Sequence, residues 1–311
     1  MTDFLGAVYE IFSSESTYEN GALFAAFLAF AATGEWVAER SGTLNISVEG
    51  MLLGGAFTAV LGYHVTGSVA VGLVTGMLGG MLIAGVQAEM SHRLAADQFV
   101  VGLTLNILVF GLTGFLENEI APDSTLAGKL EIPLLSEIPL IGEALFGQRW
   151  PFYVLYLLIP LSWWLVYRTR WGLELRSVGE NPQSADVSGI DVNRRRRQSI
   201  YYTGLTCGLG GAYLIFGHVG PFEHTDVGGR GFIAIAAVIF GGWTLRGTLA
   251  GCVIFAGALS FRLSIQGLGY NINSELLQSM PFVVTVAGMA IFAHRVRPPA
   301  ALARPFIRGL R

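Results

Sequence analysis

The segment RTRWGLELRSVGENPQSADVSGIDVNRRRR, Arg168 to Arg197, is a polar island between strongly apolar stretches, and its reading organises the rest of the chain. Its arginines assign it to the cytoplasmic side of a membrane, because Lys and Arg accumulate in cytoplasmic loops. Within it, Asn181 can cap a helix, Pro182 suits the first helical position, and Gly189 can end the helix in a left-handed turn. The predicted helix has roughly two turns, too few to stand alone in water, so it must pack on its own chain or on a partner.

Working outward, the composition is that of a membrane protein. Hydrophobic residues make up 52% and charged residues 13%, with 41 glycines in 311 residues; soluble domains carry roughly 25% charged residues, and such glycine enrichment fits close helix packing in lipid. Nine apolar runs approach spanning length: Gly21–Ala38, Ser47–Tyr63, Ser68–Met90, Phe99–Leu116, Trp150–Tyr167, Gln198–Gly217, Gly231–Leu245, Gly247–Leu263 and Ser279–His294. The expectation is an all-α polytopic membrane protein of nine or ten transmembrane helices in one domain, 1–311. With the N-terminus outside, the inner side collects Arg40, Arg93, Arg168, Arg170, Arg176, Arg194 to Arg197, Arg246, Arg295, Arg297, Arg304, Arg308 and Arg311. Only Lys129, Arg149, Arg230 and Arg262 fall elsewhere, so the C-terminus is expected in the cytoplasm. Residues 1–20 then form an outer tail, 117–149 an outer loop, 168–197 a cytoplasmic loop and 295–311 a cytoplasmic tail. The first twenty residues lack the basic start and cleavage pattern of a signal peptide, so the first apolar run reads as a retained helix.

Several chemistries are excluded by the residues missing from the chain. The lone lysine, Lys129, precedes Leu130, so there is no GxxxxGK[ST] phosphate loop, and neither HExxH nor GxSxG occurs. Cys207 and Cys252 have no metal-ligand spacing, and no metal site or catalytic residue is expected. A net charge of −3, with the positive charge gathered on one side of a membrane, argues against nucleic acid. A path through lipid without an engine implies a partner that supplies the energy.

Four blocks then carry a specific resemblance: ERSGTLNISVEGMLLGGAF at Glu39–Phe57, ADQFVVGLTLNILVFGL at Ala96–Leu112, RSVGENPQSADVSGIDV at Arg176–Val192, and GGRGFIAIAAVIFGGWTLRGTLAG at Gly228–Gly251. In this order they resemble the membrane permeases of ABC importers, in particular the nucleoside and simple-sugar group within the branched-chain amino acid permease superfamily. The resemblance implies a second related permease subunit, cytoplasmic ABC ATPase subunits that hold ATP and Mg, and an extracytoplasmic solute-binding lipoprotein, with no cofactor in this chain. It also implies that 168–197 is a coupling loop in which Asn181, Pro182, Ala185, Asp186 and Gly189 belong to a helix seated in a cleft of the ATPase. The competing reading of that helix is one packed on its own bundle. The run Arg194–Arg197 reads as a headgroup anchor in contact with membrane lipid.

Candidates for a translocation path are Asn45, Glu49 and Asn106. Asn45 and Glu49 share a face if their helix extends back to Asn45. Glu49 lies in the first turn of its run, where a helix N-terminus at the cytoplasmic interface would stabilise it; the alternative is a pore or gate role. Asn106, within its run, can bond a neighbouring helix or a passing ligand. Gly72, Gly76 and Gly80 form a small-residue packing face. The echo of GMLLGGAF at Gly50–Phe57 in AVIFGGWT at Ala237–Thr244 suggests an inverted repeat with the path between its halves. Phe57, Phe240 and Trp243 are then stacking candidates, against their commoner role as core residues. The functional expectation is import of small polar solutes, nucleosides first, with sugars or branched-chain amino acids as alternatives. A self-sufficient secondary carrier is the rival from another class, and an intramembrane enzyme ranks last.

Overall fold

The computed structural model describes residues 11–267 and 297–307, together with Ser279, Val283 and Val286. Helices account for the regular structure among these residues, and the one isolated backbone bridge joins Lys129 to Arg149. In chain order they are α1 (Glu15–Arg40), α2 (Val48–Thr66), α3 (Val69–His92), α4 (Gln98–Ile120), the short α5 (Gly142–Phe146), α6 (Val154–Arg168), α7 (Arg170–Glu180), α8 (Pro182–Val187), α9 (Val192–Tyr213), α10 (Arg230–Phe240) and α11 (Leu245–Gly267). A 3-10 turn at Trp150–Tyr153 leads into α6, and a π-turn at Leu214–Val219 prolongs α9.

Six described helices are long and apolar enough to cross a membrane: α1 to α4, α6 with its leading turn, and α11. The expected run Gln198–Gly217 lies inside α9 and its π-turn, whose polar start at Arg194–Arg197 lowers its hydropathy. The expected run Gly231–Leu245 is not one spanning helix. α10 has 11 residues, about 16 Å of rise against a hydrocarbon core of about 30 Å, and Gly242 and Trp243 at positive φ end it in a turn before α11. The run Ser279–His294 lies almost wholly outside the described residues.

The core is built where backbones touch. α9 crosses α3 and α2 at glycines: a Cβ on Gly80 would collide with the carbonyl oxygen of Gly204, one on Gly208 with that of Gly76, and one on Gly55 would lie 2.5 Å from the Gly208 Cα. Gly72 leaves room for the Phe216 ring, so the face of Gly72, Gly76 and Gly80 is a packing face as its spacing suggests. With no hydrophobic drive between helices in lipid, such close approach maximises dispersion contact and holds three helices together. α1 lies on the other side of α9, joined by the Thr203 hydroxyl donating to the Gly34 carbonyl (2.8 Å), with Trp36, Phe27, Phe30 and Tyr213 fully buried around it.

Gly208→Val should therefore cost on the order of 3 kcal/mol by overpacking, whereas Gly111→Ala, whose added carbon meets only open space, should be neutral or stabilising. Thermal unfolding of the two variants in detergent checks both.

Candidate functional site

Two helices begin inside the bundle and face each other there. α2 starts at Val48 after the irregular segment 41–47, and α10 starts at Arg230 after the irregular segment 220–229. The Glu49 carboxylate joins them: Oε1 accepts from the Gly229 N–H and Oε2 from the Gly231 N–H, each at 2.7 Å. Glu49 is also in the first turn of α2, so one carboxylate neutralises the positive ends of two helices. Asn106, on α4, performs the matching task for α2. Its Oδ1 accepts from the Gly50 N–H and its Nδ2 donates to the Ile46 carbonyl, both at 2.8 Å.

A cavity of about 190 Å³ lies at this junction, lined by Glu49, Gly50, Leu53, Asn106, Phe110, His224, Thr225, Gly228 and Gly229. Asn106 is about 12 Å along α4 from its start, so the pocket is within the span and not at its edge. Phe110, Thr225 and Gly228 at its rim are exposed, so it opens sideways from the bundle. Irregular backbone at such depth persists only when protein covers it or water fills it, since lipid cannot satisfy its polar groups. The segment 220–229 is tied to the far end of α4 by His224, whose Nδ1 lies 2.7 Å from Glu117 Oε2 and whose ring stands edge-on to Phe110 at 5.1 Å.

The three path candidates fare differently. Glu49 and Asn106 meet at the pocket; the carboxylate is buried between helix ends and not at an interface, because α2 begins at depth. Asn45 does not share a helical face with Glu49, since α2 starts three residues later. Its Oδ1 instead accepts from the Ser47 N–H (3.2 Å) and hydroxyl (2.7 Å), shaping the turn that launches α2. The echo between Gly50–Phe57 and Ala237–Thr244 does not mark equivalent positions: Gly54 and Gly55 are inside α2, whereas Gly241 and Gly242 follow the end of α10. What the two segments share is a helix that begins within the bundle. Phe57 packs on Phe222, Phe240 on Phe255, and Trp243 donates to Glu39, which makes Phe57 and Trp243 core residues and Phe240 a half-buried one packed against the core.

The sequence reading missed His224, Phe110 and the buried carboxylates Glu35 and Glu39. The visible signal for the last two was a pair of glutamates four apart at the end of an apolar run. Glu35 Oε1 accepts from the Asn45 N–H at 3.3 Å and Glu39 from the Trp243 indole, which also lies under Trp36 through a 2.9 Å bond from Trp36 Nε1 to the Trp243 carbonyl.

At one end of the bundle, the polar island folds into helices. α8 has the bounds its caps suggest: Asn181 Oδ1 accepts from the Ser184 N–H at 2.9 Å, Pro182 opens the helix, and Gly189 has φ of +83°. Pro182 and Ala185 face inward, Ala185 packing with Val178, Val192, Ile190 and Phe306. Asp186 is half-buried, and the outward surface is Gln183, Ser184 and Val187, the last 89% exposed. α7 lies in the stretch expected to be a loop and starts at the Thr169 cap, whose hydroxyl accepts from the Gly172 N–H at 3.1 Å.

The arginine run is used mostly inside the protein. Arg195 pairs with Glu174 (2.5 Å) and Arg197 with Glu89 (2.9 Å), while Arg196 is fully buried; only Arg194 of the four is exposed and free to meet headgroups. Burial pushes the Glu174 carboxyl up, but hydrogen bonds from Arg195 and Arg170 outweigh it and leave it below its ordinary range.

Residues 17–287 match the family model described as branched-chain amino acid transport system / permease component. The chain is 32% identical over 306 residues to the guanosine ABC transporter permease protein NupQ of Bacillus subtilis, covering 93% of this chain and 95% of that one. It is 34% identical over 290 residues to the nucleoside ABC transporter permease protein NupC of Lactococcus lactis, with 88% and 91% covered. It is 30% identical over 314 residues to the putative glucose ABC transporter permease protein TsgC13 of Haloferax volcanii, with 92% and 95% covered.

Asn106→Ala should strip the α2 start of its cap and cost about 1–3 kcal/mol, the penalty of a buried unpaired N–H, read as a lower melting temperature in detergent. The Glu174 tie to Arg195 should hold above about pH 4, the ordinary carboxylate range, and weaken only as pH falls through its lowered folded value, because the native state then binds the proton less readily than the unfolded one. Comparing acid unfolding of Glu174→Gln with the parent checks this: the gap between them should close at low pH.

Proposed function

The chain belongs to this permease family, and on that premise we propose that it is the membrane subunit of an ATP-driven importer whose solutes are nucleosides. It is an integral, multi-pass protein of the cell membrane and a permease component, not an enzyme. The observation that carries the transport reading is the pocket where α2 and α10 begin, which sets Glu49, Asn106 and His224 beside Leu53 and Phe110 and opens sideways at a depth where lipid cannot satisfy its irregular backbone. A second, related permease subunit against that opening would cover irregular backbone and enclose a path between the two. Glu49, Asn106, Phe110 and His224 then line it, offering a carboxylate, an amide and two rings to an uncharged polar solute with a flat base. Asn45 acts behind this wall by shaping the α2 start. Chain-length similarity to permeases named for guanosine and for nucleosides supports that solute class; the similarity to a glucose permease keeps sugars as the second reading.

The topology we propose has nine crossings, with the N-terminus outside and the C-terminus in the cytoplasm. Segments 41–47 and 220–229 each carry the chain part of the way, so short α10 completes a crossing that it could not make alone. Arg40, Arg93, Arg168, Arg176 and Arg194 to Arg197 gather at the end that carries α7 and α8, which supports that end as cytoplasmic. ATP and Mg reside on the ATPase subunits, and an extracytoplasmic lipoprotein delivers the solute. α8 docks in the ATPase through Gln183, Ser184 and Val187, while Asn181, Pro182, Ala185 and Gly189 shape and seat it. An exposed valine in so short a helix is the apolar contact that a cleft would cover.

The chain reconstituted with its partner permease, ATPase and binding protein should import radiolabelled guanosine only when ATP is present, and unlabelled glucose should not compete. The chain alone should import nothing; uptake by it would establish a self-sufficient carrier instead. Val187→Asp should leave insertion intact while import falls about tenfold or more, as for a charge placed in a docking contact.

A further inference from the structure

Residues 299–306 cross the end of the bundle that carries α8, and they touch four elements that are far apart in sequence. The Ala301 N–H donates to the Gly179 carbonyl at the end of α7 (2.9 Å), and the Ala303 N–H to the Gly42 carbonyl in the segment between α1 and α2 (3.1 Å). The Phe306 ring packs against Val178, Ala185 and Val192, so it lies under α8. The fourth contact is Arg196 of α9, with no exposed surface. Its Nη1 donates to the Arg304 carbonyl (2.7 Å), its Nη2 to the Ala301 carbonyl (3.4 Å) and its Nε to the Ser41 carbonyl (3.2 Å). A guanidinium can serve three carbonyls in fixed directions, whereas a lysine ammonium is a single point charge on a flexible stem. Gly42 has φ of +84°, and a Cβ there would come within 2.9 Å of Arg196 Nη2 and 3.1 Å of the Ala301 carbonyl, so the crossing demands glycine.

We infer that this terminal strap, closed by Arg196, makes α8 and the α1–α2 segment one mechanical unit, so that Phe306 and Arg196 are positioning residues for coupling. The inference rests on the docking role proposed for α8. A displacement imposed on α8 reaches Ser41 and Gly42 through the strap. From there the segment is held at every step: the Ser41 hydroxyl lies 2.8 Å from the Ser199 hydroxyl, Leu44 N–H donates to Gln98 (2.8 Å), Asn45 N–H donates to Glu35 (3.3 Å), and Ile46 accepts from Asn106. Its far end is the α2 start, where Glu49 holds α10. The strap therefore connects the outward knob at Val187 to the pocket wall without passing through a long helix.

The test is the ratio of solute imported to ATP hydrolysed by the reconstituted complex. Phe306→Ala and Arg196→Lys should lower that ratio about tenfold while basal hydrolysis and the amount of chain inserted stay unchanged, and Phe306→Leu should restore most of it. If Arg196→Lys fails to insert, Phe306→Ala carries the test, because that ring is only half-buried at the surface. An unchanged ratio in Phe306→Ala beside a collapsed ratio in Val187→Asp overturns the strap alone. An unchanged ratio in Val187→Asp overturns the docking role, and the strap proposal falls with it.

Discussion

A helix that begins within a membrane bundle leaves its first backbone N–H groups where lipid cannot satisfy them, and this chain has two such beginnings set against each other. Glu49 accepts from the α10 start and Asn106 from the α2 start. Each cap is supplied by a different element from the helix it caps, so neither helix can be placed without the other parts of the bundle. Both capping side chains stand in the wall of the pocket. Where α9 crosses α2 and α3 the bundle is held by glycine contacts and apolar packing, which tolerate lipid; here it is held by a carboxylate and an amide, which require protein or water beside them.

The same junction gives the proposed transport cycle a physical object. A carboxylate that bridges two helix ends can be pulled off one of them by a small displacement, since hydrogen bonds weaken steeply with distance and angle. The energy for the displacement has to come from outside the chain. The family places that source in a cytoplasmic ATPase, and the end of the bundle bearing α7, α8 and the arginines offers a surface for it. In α8 the own-chain packing is visible on the inward face, where Ala185 packs on Val178, Val192 and Phe306, and the outward face, which shows Val187, is the one left for the proposed docking.

Much of this was legible in the residues, for local reasons. The bounds of α8 follow from Asn181, Pro182 and Gly189, because caps act within a few residues. The long apolar runs announce α1 to α4 and α6 by composition alone. What stayed hidden depends on contacts between distant positions. The run Gly231–Leu245 looks long enough to span, and only the turn at Gly242 and Trp243 breaks it. Asn45 and Glu49 are four apart and would share a helical face, but the Asn45 side chain ties up the Ser47 N–H and delays the helix start. Arg194 to Arg197 look alike as a run, yet the rotation of α9 sends Arg196 inward and leaves Arg194 outside. The family resemblance named a permease, but the pocket's His224 and Phe110 could be found only once segment 220–229 was placed beside α4.

The central claim is that the α2–α10 junction faces a water-filled path that opens and closes with the ATPase cycle. It is tested by placing a single cysteine at Thr225, on the pocket rim, with Cys207 and Cys252 replaced by alanine, and timing its modification by a membrane-impermeant thiol reagent added outside the reconstituted complex. Modification that is fast in one nucleotide state and at least about tenfold slower in the other is what a gated path requires. Equal rates in both states, or no modification in either, would mean that the junction is a static part of the bundle or is sealed by lipid, and would contradict it.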